Sequence, residues 1–321
     1  MRSPQSIVAF GGGHGLAASL QALRHLTDRL TAVVTVADDG GSSGRLREEL
    51  GVLPPGDLRM ALSALCDDGE WGRTWRDVLQ HRFSSHGSLH DHAVGNLLIV
   101  ALWELLGDPV TGLDWVARLL GARGRVLPMS TVPLEIEADV SGLDPSQPDA
   151  VHVVRGQKAV ATTTGRVLGI RLLPPDPPAS PDAVAAIRNA DWVVLGPGSW
   201  FTSVAPHLLV PALADALLEA RARRCLVLNL AATVGETQGL SAAGHVRALL
   251  AHAPELRLDI VLADPSAVED VDSLADAARE AGGHLVLRQV GLGDGTPRHD
   301  PLRLAAAFRD VFDRALGDVT Q

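Results

Sequence analysis

The first hundred residues alternate between short apolar runs and longer stretches with helical spacing. Residues 6–10 and 30–37 are apolar, and the second run is rich in the β-branched residues that favour strands. Residues 16–26, between them, carry apolar side chains at helical intervals, and residues 92–106 predict a largely buried helix. This strand–helix–strand order predicts a parallel sheet whose ligand-accessible loops lie at the carboxyl ends of its strands.

A middle section, at about residues 125–175, interrupts this alternation of strands and helices, which resumes after it. Short alternating runs with polar turns predict a small antiparallel insertion, with strands at residues 134–140, 151–155, 160–163 and 167–172. Further strands of the parallel sheet are expected at residues 192–195, 225–230, 258–263 and 285–290. The prediction is an α/β fold: one Rossmann-like domain over residues 1–321 with a doubly wound, mostly parallel sheet, and a β-rich insertion at about 125–175.

Composition narrows the classes of partner and compartment. The 321 residues carry a net charge of −10, which argues against nucleic acid as a partner. Two cysteines, Cys66 and Cys225, are too few for a disulfide framework or a cysteine zinc site. Apolar runs stay shorter than the ~20 residues of a membrane-spanning helix, and no basic leader with an apolar core follows Met1. We therefore expect a cytoplasmic protein with no membrane span.

A glycine-rich loop follows the first strand, at residues 11–16. Glycines there let the backbone approach a ligand, and the next helix offers its N-terminal N–H groups to an anion. Gly13, Gly15 and Ala18, with Asp38 after the second strand, also satisfy a relaxed dinucleotide fingerprint. An NAD-dependent oxidoreductase is therefore one alternative, although no hydride-transfer site is recognisable, and a purely structural turn is another. The candidate ligand-binding residues of this loop are Gly12, Gly13, His14 and Gly15.

A second loop, at residues 38–47, places two carboxylates before four small residues and two arginines. Carboxylates beside a nest of backbone N–H groups favour either a Mg²⁺ site or contacts to sugar hydroxyls, and the structural alternative is a surface turn capped by Asp. Its candidate residues are Asp38, Asp39, Gly40, Gly41, Ser42, Ser43 and Arg45. Asp57, further along, is expected to cap a helix.

A third loop, at residues 196–203, again places glycines and hydroxyls directly after an apolar strand. Its candidates are Gly196, Pro197, Gly198, Ser199, Thr202 and Ser203. Gly198 leaves room for backbone N–H groups to reach a phosphate. Any one of these loops could be structural, but three such loops at strand ends predict a common anion site. His92 and Asn96 lie four apart and are expected to line the same pocket, whereas the nearby histidines fit no familiar zinc spacing.

Together these residues resemble the gluconeogenesis factor family, the YvcK-like branch of a superfamily that also contains the CofD-like 2-phospho-L-lactate transferases. The matching segments run in order along the chain: GGGHGL at 11–16, TVADDGGSSGRLR at 35–47, PPGDLR at 54–59, HRF at 81–83, HAVGNLL at 92–98, GRVLP at 124–128, GPGSWFTS at 196–203, GET at 235–237 and RHD at 298–300. The second segment is the most specific. Asn229, Glu236 and Thr237 complete the candidate ligand-binding set.

The resemblance implies binding of a UDP-sugar, typically UDP-N-acetylglucosamine, and a role in cell shape and in growth on gluconeogenic carbon sources. Four positions depart from the family pattern: His14 replaces Thr, Met60 replaces Asn, Gln238 replaces Asp and Gly244 replaces Asp. We therefore expect the diphosphate and uridine contacts to be kept better than selectivity for the sugar.

Two functional hypotheses follow. The first is a non-catalytic UDP-sugar sensor that forms a homo-oligomer and contacts a cell-envelope protein. The second is a Mg²⁺-dependent transferase acting on a nucleotide-linked donor, in which Asp38, Asp39 and Asp57 would hold the metal. Mg²⁺ is the one candidate cofactor, and the sequence assigns no catalytic residue. The extended second loop favours the sensor, because the resemblance places that loop in the sensor branch.

Overall fold

The computed structural model describes residues 5–231 and 240–317, with side chains up to residue 313. In the described residues the strands are β1 Ile7–Gly11, β2 Leu30–Val34, β3 Arg125–Pro128, β4 Glu135–Ser141, β5 Val151–Arg155, β6 Arg166–Leu173, β7 Trp192–Leu195, β8 Arg223–Val227, β9 Ile260–Ala263 and β10 His284–Leu287. The α-helices are α1 Gly13–Leu23, α2 Gly41–Leu50, α3 Gly56–Ala64, α4 Glu70–Gln80, α5 Val94–Leu106, α6 Pro109–Leu120, α7 Gln157–Ala161, α8 Pro181–Arg188, α9 Pro211–Glu219, α10 Ala242–His252, α11 Val271–Glu280 and α12 Pro301–Gly317.

Seven strands form one sheet in the order β10-β9-β8-β7-β1-β2-β3, and every neighbouring pair is parallel. The central strands β1 and β7 are buried along their whole length, which explains why they read as continuous apolar runs. The strand order reverses at β1, which has β2 on one side and β7 on the other. In such a sheet the chain leaves these strands in opposite directions, so a crevice opens at their carboxyl ends. The predicted α/β class with a mostly parallel sheet is confirmed.

The insertion is a separate antiparallel sheet with the order β5-β4-β6. Along β4, buried Ile136, Ala138 and Val140 alternate with outward carboxylates. Those carboxylates pair across the strands with Arg155 and Arg171, as expected for a half-buried sheet. A small antiparallel sheet therefore interrupts the parallel one, as predicted.

The predicted start of the insertion and one of its predicted strands were wrong. Residues 125–128 form β3, which pairs in parallel with β2, so the insertion's sheet begins at residue 135 and ends at residue 173. The expected strand at 160–163 is absent from this sheet, because residues 157–161 form the short helix α7. The chain turns out of β5 at Gly156, whose φ is +99°, and the Lys158 N–H is then held by Asp39.

Two helix predictions also need correction. The buried helix expected from residue 92 begins at Val94, so His92 lies before it. Residues 41–47, expected as part of the second loop, lie in α2, which runs from Gly41 to Leu50. Among the described residues no single helix is long and apolar enough to cross a membrane, while one pair of helices, Trp200–Leu209 and Pro211–Glu219, meets that test jointly and is bent by 77°.

Candidate functional site

The first glycine loop is held tightly between two neighbouring segments. A Cβ on Gly12 would lie 2.4 Å from Asp57 Oδ2, and one on Gly15 would lie 2.2 Å from the Pro197 carbonyl oxygen. Glycine is therefore required at both positions by close approach. Helix α1 begins at Gly13 without a side-chain cap. Asp57 is not the helix cap that was expected: α3 starts at Gly56, and the Asp57 carboxylate instead accepts the Gly13 N–H.

The second loop is tied down by its own hydrogen bonds. Asp38 Oδ1 accepts the Gly40 N–H at 2.9 Å, and the Asp38 carboxylate also accepts from the Ser43 hydroxyl. Ser43 Oγ accepts the Gly56 N–H at 2.7 Å, which joins this loop to the start of α3. Ser42 and Ser43 are buried on α2 rather than exposed on a loop. The serine hydroxyls thus hold the fold together at this end of β2.

His92 and Asn96 lie close together, as predicted, but both contact a side-chain atom of the protein. His92 Nδ1 and Asn96 Nδ2 each lie 3.0 Å from Ser42 Oγ, and Asn96 Oδ1 accepts from Arg59 Nε at 2.8 Å. Arg59 also bonds to Gln80, and both His92 and Arg59 are buried. The cluster links α2, α3, α4 and α5, so its role in this geometry is to position the start of α2.

Two further members of the second loop reach away from the others. Asp39 Oδ1 accepts the Lys158 N–H at 3.0 Å, and Arg45 donates to the carbonyls of Ser88 and His90 at 3.2 and 2.7 Å. No group of three or more His, Cys, Asp or Glu side chains in the described part of the chain could hold a metal ion. The three-carboxylate magnesium site predicted for a transferase is therefore not formed.

Asp38 and Asp57 remain close enough to repel one another. Burial, and after it the negative charge of Asp38, raise the pKa of Asp57 to about 7 against the opposing effects of the Gly13 N–H and Arg59. Burial likewise raises the pKa of Asp38. Burial lowers the pKa of Arg59 to about 10. These two carboxylates form the most perturbed acidic pair at the crevice.

The third loop is braced by Asn229 at the end of β8. The Gly198 N–H donates to Asn229 Oδ1 at 2.9 Å, and Asn229 Nδ2 donates to the Gly198 carbonyl at 2.8 Å. The Gly198 N–H, expected to face a phosphate, is thus already bonded. Thr202 and Ser203 lie buried in a π-helix, Trp200–Val204, and Thr202 bonds to the Ser199 hydroxyl. Gly196 is a turn residue with a φ of +75°, and its carbonyl accepts from Ser19 at 3.0 Å.

A cavity of about 630 Å³ opens beside the first and third loops. It is bounded by the first turns of α1, the residues after β7 and β8, and the segment before α12, and its lining includes His14, Gly15, Pro197, Gly198, Ser199, Asn229, Leu230, Leu292, Arg298 and His299. Arg298 and His299 were not among the predicted site residues, although the RHD segment had pointed to them. Asp38, Asp39, Gly40, Gly41, Ser42, Ser43 and Arg45 do not line it. Glu236, Thr237 and Gln238 lie outside the described residues.

Comparison with known proteins identifies the family. The family described as 2-phospho-L-lactate transferase CofD matches residues 7–286. A Mycobacterium tuberculosis protein named "Putative gluconeogenesis factor" is 54% identical over 315 residues, which cover 97% of this chain and 91% of that protein. The "Gluconeogenesis factor" of Bacillus subtilis is 36% identical over 270 residues, covering 84% of this chain and 82% of that protein. A crystal structure from Bacillus halodurans, described as a UPF0052 family member, superposes with a TM-score of 0.84 at 31% identity, covering 96% of this chain and 100% of that one. The chain therefore belongs to the 2-phospho-L-lactate transferase CofD family, among the relatives named gluconeogenesis factor.

Proposed function

We propose that this protein is a cytoplasmic, non-catalytic regulator that binds a UDP-sugar in the cavity beside α1. The observation that carries the proposal is the position of this cavity at the reversal of strand order, between β1 and β7. Ligands of doubly wound sheets bind at this point, because the loops diverge there and leave an open crevice.

The lining matches the parts of a nucleoside diphosphate. His14 and Gly15 line the cavity from the first turn of α1, next to Gly13, whose N–H is already bonded to Asp57. Arg298 adds a positive charge to a chain whose net charge is −10. Leu230, Leu292 and Pro297 supply apolar surface on which a base can pack. His14 lies on the same wall, where its imidazole takes the place of the hydroxyl that the family resemblance implies.

The link to carbon metabolism follows the relatives' names, and the link to the cell envelope follows the family resemblance of the sequence motifs. A protein that binds a UDP-sugar can report the supply of cell-wall precursors to a cell-envelope partner and so link carbon metabolism to cell shape. A homo-oligomer is the expected form of such a regulator.

Calorimetry with UDP-N-acetylglucosamine, UDP-glucose, GDP and NAD, each with Mg²⁺ and with EDTA, tests the proposal. We expect UDP-sugars to bind in either condition and to stabilise the fold by about 2.7 kcal/mol at a ligand concentration of 100 Kd. A melting shift with NAD and none with the UDP-sugars would contradict the proposal and favour a dehydrogenase.

One observation supports the transferase as a second candidate. Asp38 and Asp57 form a half-buried carboxylate pair near the first turn of α1, and two carboxylates with phosphate oxygens make a usual Mg²⁺ ligand set. When bound there, Mg²⁺ would neutralise charge on a leaving diphosphate. Nucleotide affinity that disappears with EDTA and is lost in Asp57→Asn would favour this candidate over the sensor.

A further inference from the structure

A second cavity of about 410 Å³ adjoins the first. Asn229, Leu230 and Ala231, directly after β8, line both cavities and so form a shared wall between them. The remaining boundary of the second cavity comes from the start of α10 and from residues 266–269, which follow β9. Both volumes lie in the range of about 300–1,000 Å³ that is usual for small-ligand pockets.

A buried histidine faces the second cavity with one ring nitrogen unpartnered. His245, on α10, is 7% exposed and lines the cavity, and its Nε2 has no hydrogen-bond partner in the described part of the chain. Its ring packs against Trp200 with the ring centroids 6.0 Å apart. Burial lowers the pKa of His245, so the imidazole is neutral at pH 7. A buried polar atom without a partner is uncommon in folded proteins, and a bound ligand is one means of satisfying it.

The charges around the second cavity select the kind of group it can hold. Among the described residues its lining contains no Arg or Lys, and Glu269 contributes a carboxylate. By contrast, the first cavity has Arg298 and the start of α1. A phosphate is therefore favoured in the first cavity and disfavoured in the second. A neutral group with hydroxyl or amide functions fits the second, because it can bond to both a neutral imidazole and a carboxylate.

We infer that the second cavity is the subsite for the sugar of the bound nucleotide sugar, and that His245 Nε2 hydrogen-bonds to a hydroxyl or amide group of that sugar. This assignment rests on the proposed function, because the nucleotide must occupy the first cavity for its sugar to reach the second. The two subsites are adjacent because residues 229–231 line both cavities. His245 then acts in selecting the sugar and has no part in holding the nucleotide.

The test compares the affinities of UDP-N-acetylglucosamine and UDP, measured by calorimetry on the full chain. We expect the wild type to prefer the sugar nucleotide, and His245→Ala to lose about tenfold of that preference while its UDP affinity stays unchanged. Ala267→Leu, which narrows the cavity from another wall, should reduce the same preference. His252→Ala is the matched control, because His252 lies on the same helix and lines neither cavity.

The outcomes separate the two assignments. If the wild type binds UDP and UDP-N-acetylglucosamine equally, or if both variants keep the full preference, the sugar subsite is overturned and the nucleotide site stands. If the wild type binds neither compound, both assignments fall. Melting temperatures of the variants identify a folding defect, and Ala267→Leu keeps the inference testable should His245→Ala fail to fold.

Discussion

The carboxyl end of β2 and the carboxyl ends of β7 and β8 differ in what their polar groups do. At β2, Asp38, Ser42 and Ser43 are engaged with one another, with Gly40 or with neighbouring helices. At β7 and β8 the loop is braced by Asn229, yet a cavity of about 630 Å³ lies open beside it. The imidazoles of His245 and His299, by contrast, each have a buried Nε2 without a partner in the described residues.

This difference teaches that a motif's density of polar residues does not measure its availability to a ligand. The second loop was the most specific segment of the sequence, but many of its hydrogen-bonding groups are satisfied within the protein. The same types of polar residue stabilise the fold and bind ligands. What distinguishes the two roles is whether a hydrogen-bond partner from the protein lies within bonding distance.

The contact between the first and third loops, beside the open cavity, has a large expected effect. A Cβ at Gly15 would meet the backbone of Pro197 at 2.2 Å, so Gly15→Ala forces the first and third loops apart. We expect a loss of about 1–3 kcal/mol of stability, as for overpacked sites, together with loss of measurable UDP-sugar binding. Chemical denaturation and calorimetry measure the two effects.

Gly13→Ala is the matched control in the same turn. A Cβ there meets nothing within 4 Å, although the φ of +57° imposes about 1–2 kcal/mol of strain. Retained UDP-sugar binding in Gly13→Ala and lost binding in Gly15→Ala would establish the loop contact as the cause. Equal binding losses in the two variants would contradict it.

Asn229→Ala tests the brace at the open end. It leaves the N–H and the carbonyl of Gly198 unpartnered, so we expect a loss of about 1–3 kcal/mol of stability and weaker UDP-sugar binding. Asn189→Ala removes an exposed amide that bonds to Ala185, and should cost less than about 0.5 kcal/mol. Urea denaturation measures the stability of both variants. Similar losses of stability in the two would mean that the hydrogen bonds of Asn229 contribute little.

Substitutions of Asp38 and Asp39, at the end of β2, should differ in their cost to stability because Asp38 is less exposed than Asp39. Asp38→Ala deprives the Gly40 N–H of its buried acceptor, and we expect a loss of about 1–3 kcal/mol. Asp39→Ala removes an exposed carboxylate from the Lys158 N–H and should lose less than about 1 kcal/mol. Stability is measured for each in urea. A larger loss for Asp39→Ala would show that its contact with the insertion matters more than burial at Asp38.

The pH dependence of Asp57→Asn is the most specific effect, because it appears only across one range of pH. In the folded protein the Asp57 pKa is raised to about 7 from an ordinary 3.8, so the folded state binds the proton more tightly between these values. The Asp57 contribution to stability is therefore full below pH 4 and is lost as the pH rises to 7. Relative to the wild type, Asp57→Asn should gain on the order of 4 kcal/mol between pH 4 and pH 8, because a pKa raised from 3.8 to about 7 is worth that much. Melting curves at both pH values measure it, and a pH-independent difference would contradict the raised pKa of Asp57.

Sequence patterns predicted most of the sheet because strand formation depends on local apolar runs. The run at residues 192–195 matched β7 in both bounds, the run at 6–10 contained all of β1 but its last residue, and the run at 30–37 contained all of β2. The pattern failed at residues 160–163, where apolar alternation was present but α7 formed. That outcome depends on the turn at Gly156 and on a hydrogen bond to Asp39, which lies more than a hundred positions earlier.

The sequence by itself determined the α/β class, the family and the positions of the glycine-rich loops at strand ends, since each depends on short segments and residue types. Only the tertiary structure decided which polar groups are hydrogen-bonded within the protein. Ser42 and Asn96 are brought together across 54 positions, and Arg298 and His299 are brought to the wall of a cavity that begins at His14. Whether a donor meets a protein acceptor or an open cavity is a matter of distances between remote segments. Those distances follow from the packing of the whole chain, which no local pattern encodes.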